Sequence, residues 1–356
     1  MERQHIASKF PVKVELHVHM DGAARHQTIV DVAASRGLIP HCDTVQTLKQ
    51  QIVFSKPSTL DRLLQSFATF SPVFAGSRDA VYRLAYEFCE DCSLQGIKYV
   101  EARYSPHLLA NTFEKPVYAP EPGNFSPRDV VTTVGEALQQ GTRDFNIQVK
   151  EILCCIRNFP EWSLEVASLC REFRSSVVAI DVAGPEFLSG KDATQCPHKL
   201  AFKEVEDAGL HRTAHASEVR SSVMMYEALD EYHAERIGHG YRSLDCDKMY
   251  QRVLKERIHL ETCPISSILT GGAPNGKSNH PILRFAQDKA NFSLNTDDPT
   301  VLDNTLTDDY MTAKEFGLSD DHITQSIFNA ARSSFLPEAE KKLLVSELVK
   351  VYGAQW

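Results

Sequence analysis

The chain has no apolar run approaching the length of a membrane span, and its first residues, MERQHIASKF, hold no apolar core of the kind a secretory leader needs. The expectation is a cytoplasmic protein with no membrane insertion. A surplus of basic residues is also missing: 38 Lys and Arg against 47 Asp and Glu leave a net charge of −9. Nucleic-acid binders need concentrated cations to displace counterions from phosphates, so no nucleic-acid partner is expected and a small neutral or cationic ligand fits better. The nine cysteines follow no repeating spacing, which fits reduced thiols rather than a disulfide framework. What remains is ordinary for a soluble globular chain: 356 residues, 42% hydrophobic and 24% charged, enough for one large domain over residues 1–356.

Several motifs are absent as well. No Gly-x-Gly-x-x-Gly follows the first apolar run, where HVHMDGA stands instead, so a dinucleotide fold has no fingerprint here. GGAPNG at 271–276 lacks both the spacing and the Lys-Ser/Thr of a phosphate loop and reads as a flexible connection. Cys89 and Cys92 have metal-ligand spacing, but they lie in a helical pattern with no second pair to complete a zinc knuckle. His233-Ala234-Glu235 imitates the His-x-Glu of cytidine-type zinc deaminases, which require a Pro-Cys-x-x-Cys after it; none follows.

Eight short runs have strand character: residues 14–19, 97–104, 147–156, 176–184, 211–217, 235–240, 257–264 and 290–299. Polar-apolar segments of helical period, such as SSVMMYEALDEYH and LDRLLQSFATF, lie between them. Strand and helix alternating eight times predicts an α/β fold, a (β/α)8 TIM-type barrel. The stretch of about eighty residues between the first and second strands predicts a helical insertion.

Such barrels gather their functional groups at the carboxyl ends of the strands. His17 and His19 alternate on the first strand, so both imidazoles face one side and can converge on a cation. Further strand ends supply Asp181 and Gly184, His215 with Glu218 three residues on, His239, and Asp297 with Asp298. Singly, each reads as a structural hydrogen-bonding residue; NTDDP alone is an ordinary turn and helix cap. Their joint placement at strand ends points to a catalytic metal site.

HVHMDGA, RYSPHLLAN, IDVAGPE, AHASE, RIGHG and SLNTDDP resemble, in order and spacing, the adenosine deaminases of the metal-dependent amidohydrolase superfamily, over nearly the whole chain from His17 to SSFLPE. The resemblance implies one zinc ion held by His17, His19, His215 and Asp297, with water or hydroxide completing the shell. It implies Glu218 as the proton shuttle to purine N1 and His239 as the residue orienting the attacking hydroxide. His19, Asp21, Gly184 and Asp298 form the implied substrate-binding set: Asp298 and the Gly184 N–H hold the purine, and Asp21 reaches the ribose. The implied substrate is a purine nucleoside, adenosine or 2′-deoxyadenosine. The chemistry asks for these residue types independently, because replacing an aromatic amine by oxygen near neutral pH needs hydroxide, and zinc lowers the pKa of bound water to about 7. Protonating the ring lowers the barrier to attack at C6, a contribution of roughly 10² to 10⁴ in rate.

The fourth strand carries IDVAGPE where two-metal relatives use a bridging carboxylated lysine, so by resemblance the site is mononuclear. Three positions depart from the family pattern. Met20 replaces a leucine, a volume-conserving change. Ser217 replaces a glycine, which would be strained at positive φ and would displace Glu218. Pro185 replaces an acidic residue, and is expected to confine Gly184 to extended conformations. Two other readings compete: a deaminase of adenine nucleotides or N6-methyl-AMP, which would want Arg or Lys at the mouth, and a catalytically silent relative acting in binding or signalling, which would have lost a ligand or the shuttle.

Overall fold

Eight strands are formed in a computed structural model that describes residues 2–38, 44–187, 196–274 and 279–356. They are β1 Lys13–His19, β2 Ile97–Tyr104, β3 Gln148–Ile156, β4 Val177–Ala183, β5 His211–Ala216, β6 Arg236–His239, β7 His259–Thr262 and β8 Phe292–Leu294. Each pairs in parallel with the next in chain order. β8 returns to β1 through a bridge between Val18 and Asp297, with His19 N–H donating to Asp297 O at 2.8 Å and Asp297 N–H to His17 O at 3.1 Å. The sheet is a (β/α)8 barrel, as the strand–helix alternation predicts.

β7 and β8 are shorter than their apolar runs, for local reasons. Arg257 takes a left-handed φ of 53° just before β7, and Pro264 opens the helix Pro264–Leu269 just after it. Beyond β8, Thr296 donates its N–H to the Glu15 side chain rather than to a ladder, and Asp297 turns the chain with φ 70°.

The insertion between β1 and β2 forms helices His26–Ser35, Val45–Ile52, Leu60–Phe70 and Arg78–Leu94. Three of them begin at a side-chain cap: Thr44, Thr59 and Ser77 accept from backbone N–H groups three residues on. Leu63, Ser66, Phe67 and Phe70 bury one face of Leu60–Phe70 at helical spacing. Cys89 and Cys92 lie buried on Arg78–Leu94, where burial pushes the Cys89 thiol up to about 12, so they serve as apolar filler. The last two residues of GGAPNG, 275–276, lie outside the described residues. Among the described residues no helix is long and apolar enough to cross a membrane.

The period of two decides what the barrel contains. On β1, Val14, Leu16 and Val18 join the main hydrophobic cluster, while Glu15, His17 and His19 alternate with them. Across the interior, Glu101, Arg103, Asp181, Arg236 and Glu261 are buried and bonded to one another. The lumen of this barrel is therefore an ionic lattice rather than a stack of branched aliphatics.

Close approach also dictates Gly238 on β6. A Cβ there would stand 2.9 Å from His17 Cε1 and 3.2 Å from His215 Cα. Gly238→Ala is expected to cost about 1–3 kcal/mol of stability through overpacking, together with loss of bound metal. Urea unfolding with metal analysis checks this; a wild-type midpoint and metal content would contradict it.

Candidate active site

At the carboxyl ends of the strands, five side chains converge. His17 and His19 share one face of β1; His215 is the penultimate residue of β5 and His239 the last of β6. The register sets His215 opposite Gly238 and Ala216 opposite His239, which brings the two imidazoles to one level. Asp297 lies three residues beyond β8, pinned by its backbone to β1. Donor atoms of His17, His215, His239 and Asp297 all lie within 4.8 Å of one another, as do those of His19, Asp297 and Asp298. His17 Nε2 is 3.2 Å and His19 Nε2 3.6 Å from Asp297 Oδ1, and the Nε2 atoms of His19 and His215 are 3.1 Å apart. Two imidazole nitrogens that close, with no hydrogen-bond partner among the described residues for the buried His17 Nε2, make a cluster that could hold a metal ion.

The far side of two rings explains their orientation. His17 Nδ1 is 2.7 Å from Glu261 Oε2, and His215 Nδ1 is 3.0 Å from Asp181 Oδ2. Both carboxylates are tied to Arg103, which donates to Glu261 at 2.6 Å and to Asp181 at 3.0 Å. A carboxylate at Nδ1 places the ring proton there and leaves the Nε2 lone pair facing the centre. Burial works against ionised Glu261, but Arg103 and Arg236 hold its carboxyl well below the usual range. Burial likewise opposes the charge on Asp297, yet its carboxyl is held well below the usual range, with His17 Nε2 3.2 Å from Oδ1. Burial keeps His19 and His239 neutral at physiological pH. Arg103 and Glu261 were not singled out from the sequence; each sits at an inward position of a strand, and that alternation was the available signal.

Glu218 falls in the loop between β5 and the helix Val223–Asp230, not on an exposed helix face, and is only 4% exposed. Burial first, then the Asp297 and Glu186 carboxylates, push its pKa well above the usual value. Its Oε2 is 3.6 Å from His239 Nε2, and His239 is 3.9 Å from Asp297 Oδ2. Burial raises Asp298 strongly and Asp21 to about 7. Glu218 Oε1, Asp298 Oδ1 and Asp21 Oδ1 are buried with no hydrogen-bond partner among the described residues. All three side chains, with His19, Gly184, His215, His239 and Asp297, line one cavity of about 480 Å³, a size suited to a small ligand. Leu60, Leu63, Leu64 and Phe67 form its apolar wall. His233 pairs instead with Glu206 on the surface, 2.9 Å away, and takes no part.

The three departures resolve differently. Met20 is fully buried in the core, in keeping with a volume-conserving change. Gly184 is not confined to the extended region of ordinary residues: its φ is +96°, because proline restricts its neighbour chiefly through that neighbour's Cβ and glycine has none. Ser217 does adopt positive φ, 57°, as do His239 at 68° and Asp297 at 70°. Yet Glu218 remains in the cavity, and Ser217 Oγ donates to Ser221 O at 3.0 Å. Relief of left-handed strain in Ser217→Gly, about 1–2 kcal/mol, is offset by about 0.4–1 kcal/mol of unfolded-state entropy and about 1 kcal/mol of lost hydrogen bond. Ser217→Gly is therefore expected to leave stability within about 1 kcal/mol and kcat/KM within about threefold. A large gain in rate on assay would show that the serine displaces Glu218.

Similarity to known proteins agrees with this geometry. A family profile described as adenosine deaminase matches residues 12–351. The chain is 46% identical to the adenosine deaminase of Mus musculus, covering 96% of this chain and 97% of that protein, and 45% identical to that of Bos taurus, covering 96% and 94%. Among solved structures, adenine deaminase from Arthrobacter aurescens superposes with a TM-score of 0.83 at 22% identity, covering 96% of this chain and 99% of the other, a likeness of fold. With its barrel, its histidine–aspartate cluster and its full-length match to that profile, the chain belongs to the adenosine deaminase family.

Proposed function

We propose that the cavity converts adenosine, and 2′-deoxyadenosine, to the corresponding inosine and ammonia, with the residues of the cluster in distinct roles. His17, His19, His215 and Asp297 would hold one zinc ion; three imidazole nitrogens and one carboxylate oxygen suit it. The orphaned, fully buried Nε2 of His17 supports that assignment. When bound, the ion supplies the Lewis acidity that brings the pKa of water to near neutrality. His239, kept neutral by burial, faces Glu218 and Asp297 and is placed to accept a hydrogen bond from attacking water and orient it toward C6.

Glu218 carries the proton. Burial raises its carboxyl well above the usual value and so favours the protonated form, and delivery of that proton to N1 lets the ring accept electrons as C6 becomes tetrahedral. The Gly184 N–H and Asp298 hold the purine, and Asp21, with His19 beside it, reaches the ribose. Ammonia leaves as the C6 carbonyl forms. Lys and Arg are absent among the described residues lining the cavity, whereas Asp21, Asp61 and Asp298 are present. That lining favours a nucleoside over a nucleotide, whose 5′-phosphate it would repel. An intact set of ligands and shuttle favours catalysis over a silent binding role. A soluble cytoplasmic setting fits the net charge of −9 and the chemistry.

The observation that carries this reading is the convergence of four imidazoles and Asp297 beside a buried Glu218 whose Oε1 has no hydrogen-bond partner among the described residues. Glu218→Gln is expected to keep one zinc per chain and lower kcat by about 10²–10⁴, followed as conversion of adenosine to inosine by ultraviolet absorbance. A strong chelator should abolish wild-type turnover and zinc should restore it. Retained turnover in the variant, or activity indifferent to chelation, would refute the assignment.

A further inference from the structure

Neither strand nor helix holds the backbone of Glu218. β5 ends at Ala216 and the next helix begins at Val223, so the N–H groups of Glu218, Val219 and Arg220 have no ladder to join. One side chain takes all three. Glu186 Oε1 accepts from Glu218 N–H at 3.1 Å, and Oε2 accepts from Val219 N–H at 2.9 Å and Arg220 N–H at 2.6 Å. Successive N–H groups converging on one anion form a nest, and each bond is charge-assisted. Glu186 is itself buried, 6% exposed.

The surroundings make this clamp rigid. Arg157 donates to Phe187 O at 3.2 Å and to His215 O at 2.7 Å, tying the chain just after Glu186 to β5. From the other side Gly272 packs against the Glu218 carbonyl, which a Cβ would meet at 2.9 Å. Ser217 O accepts from Arg242 N–H at 2.9 Å. Glu186 thus bridges the end of β4, two residues from Gly184, to the loop that presents Glu218. Its hydrogen bonds go to backbone, its charge also raises the Glu218 carboxyl, and neither the cavity lining nor the metal cluster includes it.

We propose that Glu186 is a positioning residue for the reaction: its carboxylate clamps the backbone of Glu218–Arg220 and so aims the Glu218 side chain at the purine. This rests on Glu218 as the proton carrier. Removal of the clamp should lower the rate of the step that needs that proton and leave substrate affinity largely intact. A residue serving stability alone would lower the unfolding midpoint without a split between kcat and KM.

The test compares zinc-loaded wild type with Glu186→Ala, Glu186→Gln, Glu218→Gln and the Glu186→Ala/Glu218→Gln double variant. Measurements are kcat and KM for adenosine, unfolding midpoint, and hydrogen–deuterium exchange of the 217–221 segment. Glu186→Ala is expected to lower kcat by about tenfold or more with KM within about threefold and to speed exchange in that segment. Glu186→Gln, which keeps one oxygen acceptor, should recover part of kcat and supplies the same comparison if the alanine variant does not fold. In the Glu218→Gln background, loss of Glu186 should change the residual rate by less than about twofold, because both act through one group. Independent losses in the double variant, or wild-type kcat in both Glu186 variants beside an inactive Glu218→Gln, would overturn the clamp alone. An active Glu218→Gln would instead remove the reading on which it rests.

Discussion

Arg103 and Glu261 lie fully buried inside the barrel, 2.6 Å apart, and the arrangement of the mouth above them depends on that pair. Taking two charges out of water costs several kcal/mol per ion and is offset only where the remaining donors and acceptors are satisfied. Here they are. Glu261 also accepts from Arg236 and Thr213 and faces His17 Nδ1, while Arg103 also donates to Asp181 and to Leu16 O. The lattice spends its charge on orientation: it anchors the carboxylates that hold His17 and His215 with Nε2 toward a common centre. Loss of either partner would leave an uncompensated buried ion, at a cost of about 3–5 kcal/mol.

Above the lattice the backbone is strained where the chemistry is placed. Ser217, His239 and Asp297 all take positive φ at or just beyond strand ends, and such residues cost on the order of 1–3 kcal/mol each. The barrel over-determines them: Asp297 through its two backbone bonds to β1, His239 through its register with β5, and Ser217 through Arg242 and Ser221. A closed ring of eight strands supplies the rigidity to aim five side chains at one point.

The eight strands were legible because each combines an apolar face with bounding turn residues, and the insertion was legible from length alone. Their ends were less so: β7 starts late and β8 stops early because Arg257 and Asp297 leave the extended region, which residue type does not announce. The residues that meet at the mouth were legible as polar groups recurring at strand ends, and the family resemblance named roles for them. Arg103, Glu261 and Glu186 escaped, since a buried charge within an alternating strand, or a glutamate after a proline, looks the same as one facing water. The effect of Pro185 on Gly184 was misjudged for a related reason: the rule applied describes residues with a Cβ.

The central claim is that Glu261 and Asp181 set the tautomers that present Nε2 of His17 and His215, alongside His19 and Asp297, to one cation. Diffraction from crystals of the zinc-loaded protein, with anomalous data at the zinc edge, tests it most directly. The expected result is a single peak about 2.0–2.2 Å from Nε2 of His17, His19 and His215 and from one oxygen of Asp297. A peak bound through Nδ1, a peak elsewhere, or no peak at full zinc loading would contradict it.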